Sequence, residues 1–225
     1  MGSQTTFAVE GGTKSVGYLA QPQGAKGPGV IVIQEWWGLV HHIQQVCDRF
    51  AAEGFVALAP DLYHGKSTKG PDEAGRMMMA LDIDRAARDL HGAVKHLLAN
   101  GATGGKVGVI GFCMGGQLAL YAASKFPEIG ACVDFYGIHP KVAPDYKSVR
   151  CPVTGVFAEK DEYVNPKVVG KLEADLKAAG VKTDFTIYPG VDHAFFNDSR
   201  PEVYDAATAK KAWDKTLGAL RSALR

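Results

Sequence analysis

Short apolar runs with little polar alternation punctuate the chain, and they limit its fold more than any other feature. They are Gly29–Gln34, Phe55–Ala59, Lys106–Ile110, Ala131–Phe135 and Val153–Phe157. Runs of this length read as strands buried on both faces, the signature of a parallel sheet covered on each side. Between most of them apolar residues recur at helical spacing. His42–Glu53 ends at Gly54, Asp84–Leu98 at Asn100-Gly101, and Pro166–Ala179 at Gly180, while Gly115–Lys125 forms another such stretch. Thr183–Tyr188 reads as a further strand and Pro201–Leu224 as a long terminal helix, with Ser199 and Glu202 spaced as a capping box. Thr6–Val9 and Ser15–Leu19 flank Gly11-Gly12 as an N-terminal antiparallel hairpin, and Gly65–Pro71 is a polar loop. The expected class is α/β, a mostly parallel central sheet with helices on both faces. No repeat, low-complexity tract or linker divides it, so residues 1–225 read as a single domain.

Composition narrows the function classes. Lys and Arg number 25 against 24 Asp and Glu, a net charge of +1, which gives no basic footprint for nucleic acid. The apolar runs are far shorter than the roughly 18 residues of a membrane span. The N-terminus has no basic stretch followed by an apolar one, as a secretory signal would. Met1-Gly2 with Thr6 matches a myristoylation pattern, but a single acyl chain anchors a protein only marginally. The expectation is a cytoplasmic monomer that engages neither nucleic acid nor membrane. The four cysteines show no C-x-x-C and no zinc spacing, so no metal site, no cofactor and no structural disulfide are expected. Cys47, Cys132 and Cys151 fall in apolar helix or strand patterns and read as core. Cys113 does not.

Cys113 lies in Gly111-Phe112-Cys113-Met114-Gly115-Gly116, after a strand and before a helix. This G-x-C-x-G in strand–turn–helix context is a nucleophile elbow with Cys in place of Ser. So sharp a turn needs small neighbours, hence the glycines. It holds the side chain above the sheet at the positive end of a helix, which favours a thiolate and offers free N–H groups to an oxyanion. The bland alternative is a tight turn with a buried Cys. Glutamine amidotransferases also place Cys on such an elbow with a Gln four residues on, and Gln117 fits; their late H-x-E motif is absent here.

Partners in the order nucleophile, acid, base follow later strands. Asp161 comes after Val153–Phe157 and His193 after Thr183–Tyr188, so a parallel sheet brings both loops to the edge that carries the elbow. His193 then takes the proton of Cys113, and Asp161 fixes its tautomer. Glu159, Glu162 and Asp192 compete for the acid's place, and a loop His capping its own turn is the alternative for His193.

From about Gly29 to the C-terminus the chain resembles the dienelactone hydrolase family of α/β-hydrolases. The matching segments are Gln34-Glu35-Trp36-Trp37-Gly38, Pro60-Asp61-Leu62-Tyr63, Gly111–Gly116, and Glu159-Lys160-Asp161 with Asp192-His193-Ala194-Phe195. The resemblance implies an α/β-hydrolase fold and a triad of Cys113, Asp161 and His193. It also implies a further carboxylate, Glu35, that helps deprotonate the thiol, and an oxyanion hole from the backbone N–H groups of Trp36 and Met114. By position alone Glu35 ends a buried strand before two tryptophans, a partly desolvated carboxyl suited to proton exchange with a thiol. A carboxylate pointing into solvent is the alternative.

The expected reaction is hydrolysis of small esters or lactones through a thioacyl enzyme. A thioesterase or amidase on the same scaffold, or a non-catalytic binding protein, are the rivals. Trp37, Tyr63 and Met78 are candidates for the substrate pocket, each with a core or turn alternative. The family implies an arginine anchoring a substrate carboxylate four residues after the His; here that position is Asn197, and Arg200 or Arg76 are other sources of charge. Neutral substrates are therefore expected to be turned over at least as well as anionic ones. His41 and His42 are adjacent, face different directions and read as surface.

Overall fold

The computed structural model describes residues 1–224. Parallel strands β3 (Gly27–Ile33), β4 (Val56–Pro60), β5 (Ala102–Phe112), β6 (Ile129–Phe135), β7 (Val153–Ala158) and β8 (Thr183–Tyr188) form the sheet. The hairpin β1 (Ser3–Ala8) and β2 (Lys14–Ala20) joins antiparallel, β2 against β4. The spatial order is β1-β2-β4-β3-β5-β6-β7-β8. The chain leaves β3 toward one edge and, after β4, returns to the other side of β3 as β5. The connections leaving β3 and β5 thus diverge and open a crevice at the strands' carboxyl ends, where α/β sheets bind ligands. Glu35 and Cys113 stand on the two sides of that opening.

Alternation along the strands divides the core between the two sheet faces. Val30, Val32, Ile110 and Phe112 face helices α1 (His41–Ala52) and α6 (Ala206–Ala223), packing with Ile43, Phe50, Trp213 and Leu220. Ile31, Ile33, Val107 and Val109 face α3 (Ile83–Ala99) and α4 (Met114–Lys125), with Leu90, Leu97 and Leu118. All of these but Trp213, which is 8% exposed, are fully buried, and each such aliphatic or Phe side chain stabilises the fold by roughly 1.5–3 kcal/mol before its entropy cost. A smaller cluster, Phe157, Val164 and Val169, seats α5 (Pro166–Ala178).

Several local expectations need correction. The terminal helix starts at Ala206, not Pro201, because the Asp205 side chain accepts from Thr208 N at 2.8 Å and caps it there. The Ser199–Glu202 box does not form, since Glu202 accepts instead from Arg200 Nε at 2.8 Å. Pro71, read as the end of the polar loop, and residues 72–79, given no element from the sequence, form α2 (Pro71–Met79), a nine-residue helix that contains Gly75 and has no side-chain cap. β5 runs back to Ala102, with a register shift against β3 at Pro28/Gly29. His42 is buried rather than on the surface: its Nδ1 pairs with Asp198 Oδ1 at 2.9 Å. All four cysteines are free thiols, and among the described residues no helix is long and apolar enough to cross a membrane.

Candidate active site

Cys113 sits at the junction of β5 and α4 with φ 55° and ψ −121°, a strained conformation for a residue with a side chain. Its surroundings enforce it. The Cys113 N–H donates to Phe135 O at 3.0 Å, and its carbonyl accepts from Gly116 N at 2.9 Å and Ile138 N at 3.1 Å. A side chain at Gly111 would run into the Gly115 carbonyl, and one at Gly115 would meet Gln34 O at 2.5 Å. The glycines of the motif are thus required sterically. The thiol is 8% exposed, and the N–H groups of Trp36 and Met114 have no backbone acceptor among the described residues.

The histidine and acid arrive on the loops after β8 and β7. His193 Nδ1 lies 2.6 Å from Asp161 Oδ2. The other carboxylate oxygen accepts from Tyr163 N and Val164 N, each at 2.8 Å, so Asp161 is locked in orientation. Asp161, and none of the rival acids, is bonded to His193: Glu159 accepts from Gly190 N at 2.8 Å, and Glu162 and Asp192 are exposed on the rim of the same opening. Burial works against charge on His193, but hydrogen bonds to Asp161 and Cys113, and the charges of both, outweigh it and push its pKa up to about 10. Asp161 is held below the usual carboxylate range: burial raises it, while the His193 hydrogen bond and charge and the two amides lower it further. The arrangement favours the charged imidazolium on His193.

Glu35 follows β3 and is 1% exposed. Its Oε2 accepts from Asn197 Nδ2 at 2.6 Å, while Oε1 has no partner. The sequence reading of a desolvated carboxyl holds; its partner, an amide from the β8–α6 connection, was not foreseen.

Glu35, Cys113 and His193 open on one cavity of about 1530 Å³. Trp36 and Trp37 both line it, edge to face at 5.1 Å, with Met78 from α2 beside them. Arg200 also lines it, its guanidinium 5.9 Å from the Trp37 ring and paired with Glu202. Asn197 reaches the wall, but its amide is spent on Glu35. Tyr63 is not part of the wall. It is buried behind the elbow, its hydroxyl 3.2 Å from Met114 Sδ. The sequence reading also missed Ile138, Tyr163 and Tyr136. Tyr163 presents an exposed ring 5.6 Å from the His193 ring, and Tyr136, directly after β6, packs at 4.8 Å on its other side. An aromatic residue at a strand's carboxyl end was the only signal for Tyr136, and it reads equally as core. A second cleft of about 730 Å³, between the β1–β2 turn and α3, gathers Lys14, Arg85 and Arg88 with Asp84 and Asp89 but holds no nucleophile. Among the described residues no group of three or more His, Cys, Asp or Glu is placed to hold a metal ion.

Comparison with known proteins agrees with this geometry. Residues 16–224 match the model of the dienelactone hydrolase family. "Protein usf" of Aquifex pyrophilus is 42% identical over 96% of each chain. A protein of Aquifex aeolicus named "Putative carboxymethylenebutenolidase" is 37% identical over the full length of both. Among solved structures, one titled as a putative dienelactone hydrolase from Klebsiella pneumoniae superposes with a TM-score of 0.88 at 26% identity, covering 98% of this chain and 99% of the other.

Proposed function

The chain belongs to the dienelactone hydrolase family, and on that premise we propose that it hydrolyses neutral esters and lactones through a thioacyl intermediate on Cys113. The observation that carries this reading is the strained elbow that holds the Cys113 thiol beside an imidazole locked by Asp161. Cys113 Sγ attacks the carbonyl carbon, and the electron pair moves to the oxygen, which the N–H groups of Trp36 and Met114 stabilise. As the tetrahedral species collapses the carbon–oxygen bond breaks, and His193 gives its proton to the departing alkoxide. Water then adds to the thioester, His193 accepts its proton, and the carbon–sulfur bond breaks to release the acid. Asp161 stabilises the imidazolium in both halves. Glu35 serves as a second proton acceptor for the thiol.

Two features favour neutral substrates. Asn197 is an amide already bonded to Glu35, and the guanidinium of Arg200 is paired with Glu202. Four free thiols fit a reducing cytoplasm, and we take the working unit to be a monomer. A panel of short p-nitrophenyl esters tests the assignment. Wild-type protein should turn them over and Cys113→Ala should fall to background; equal inertness of the two would overturn it.

A further inference from the structure

Tyr136 has a role the triad does not give it. Its side chain is fully buried, and its hydroxyl has no hydrogen-bond partner. An unpartnered buried phenol is uncommon enough to need a reason. Phe would fill the same space, since the ring packs among Phe112, Phe135, Phe195 and the imidazole of His193. The backbone there is strained too, at φ 42°, and is held by the Tyr136 N–H donating to Val156 O at 2.9 Å. Burial raises the pKa of the phenol well above its ordinary value. Of the charges that act on it, that of Glu35 comes first, followed by Cys113, Arg200 and Asp161. Glu35 has the complementary vacancy, a buried Oε1 without a donor.

We propose that Tyr136 is the positioning residue for Glu35: its O–H donates to Glu35 Oε1, so that Asn197 holds one carboxylate oxygen and Tyr136 the other. A hydrogen bond between the two atoms satisfies both. No proton is transferred between them, because the phenol stays neutral and only directs the carboxylate. Around the pair stand Cys113 from the elbow, Asp161 from the β7–α5 loop, and His193 and Arg200 from the β8–α6 connection. Of these, His193 and Asp161 are bonded to each other and Arg200 to Glu202, which leaves the phenol and the Cys113 thiol as donors; a carboxylate oxygen has two lone pairs, so Oε1 can accept from the phenol and still take part in proton exchange with the thiol. The inference rests on the assignment of Glu35 to proton exchange with the Cys113 thiol.

The test is the rate of Cys113 alkylation by iodoacetamide between pH 4.5 and 9, read by mass spectrometry. This readout needs no ester turnover, so it stays informative if the substrate assignment fails. Tyr136→Phe should move the acid limb of the profile up by about one to two pH units, the size expected for losing a hydrogen bond to a charged group. In a Glu35→Gln background the same substitution should add nothing. A Tyr136→Phe profile that superimposes on wild type, or a shift that persists in Glu35→Gln, would overturn the proposal. Thermal midpoints give an independent reading. A hydroxyl held by Glu35 is removed at a loss that shrinks in Glu35→Gln, where the bond is no longer to a charged group, whereas a hydroxyl with no partner is removed at no cost or at a gain.

Discussion

Asn197 Nδ2 donates to Glu35 Oε2 at 2.6 Å, a buried bond that joins residues 162 positions apart. Both side chains are 1% exposed, so neither has water to fall back on. Asn197→Leu removes the donor and leaves a buried carboxylate less satisfied, which should cost roughly 1–3 kcal/mol of stability. kcat/KM for a short ester should fall about tenfold if Glu35 then shifts from its place. Denaturation and ester kinetics on the same preparation check both numbers. A variant as stable and active as wild type would show that the bond is incidental.

The same bond bears on substrate charge. Asn197 is committed to Glu35 and Arg200 is paired with Glu202, so among the described residues Lys69 and Lys160 are the other Lys or Arg side chains on the wall, and an ammonium is a point charge rather than a bidentate partner for a carboxylate. A neutral ester should show kcat/KM at least equal to that of a matched ester bearing a carboxylate, and Arg200→Ala should leave that ratio nearly unchanged. A strong preference for the anion, lost in Arg200→Ala, would contradict this.

Asp161 and His193 stabilise each other over a definable pH window. The pKa of Asp161 is depressed in the fold, so its contribution is present above 3.8 and is lost as pH falls through the lower folded value. That of His193 is raised from 6.5 to about 10, so its contribution is complete below 6.5 and is lost as pH rises through about 10. Asp161→Asn should therefore be most destabilising between about pH 4 and 6.5, and should lower kcat by at least about a hundredfold by freeing the imidazole tautomer. Melting curves across pH 3–10 would reveal the window, and a uniform loss at every pH would count against the pair.

Asp134 gives the opposite sign. It is fully buried on β6, no side chain bonds to it, and Gly116 and Gly137 pack tightly about Oδ1. Burial pushes its pKa up to about 7, with the Gly137 N–H pulling the other way. A carboxyl with a raised folded pKa costs nothing below 3.8 and progressively more as pH rises to about 7. Asp134→Asn should thus match wild type near pH 4 and exceed its stability by a few kcal/mol at pH 8. Parallel melting curves for the two proteins at every pH would contradict the assignment.

Most of the sheet and the meeting of Cys113, Asp161 and His193 at one edge were legible because each rests on a local pattern. Gly29–Gln34 and Ala131–Phe135 are buried on both faces and polar only at Gln34 and Asp134, and the spacing of Gly111 and Gly115 about Cys113 reflects clashes within one turn. Asp161 and His193 could be placed because parallel strands deliver their loops to one edge. What failed depended on distant partners. His42 read as surface because its partner, Asp198, lies 156 positions away. Asn197 read as a lost anchor, and no local pattern ties it to Glu35. α2 escaped notice because it is only nine residues long, contains Gly75 and has no side-chain cap to mark its start, and Tyr136 looked like any strand-end aromatic.

The thioacyl intermediate is the central claim, and trapping it is the most direct test. Wild-type protein is mixed with an activated p-nitrophenyl ester, quenched in acid within the first turnover, digested and analysed by mass spectrometry. The account predicts an acyl group on the peptide carrying Cys113, accumulating further in His193→Ala to the extent that this variant acylates at all, and absent from Cys113→Ala. Steady ester turnover by wild type with no acyl adduct on Cys113 at any quench time, undiminished in Cys113→Ala, would contradict it.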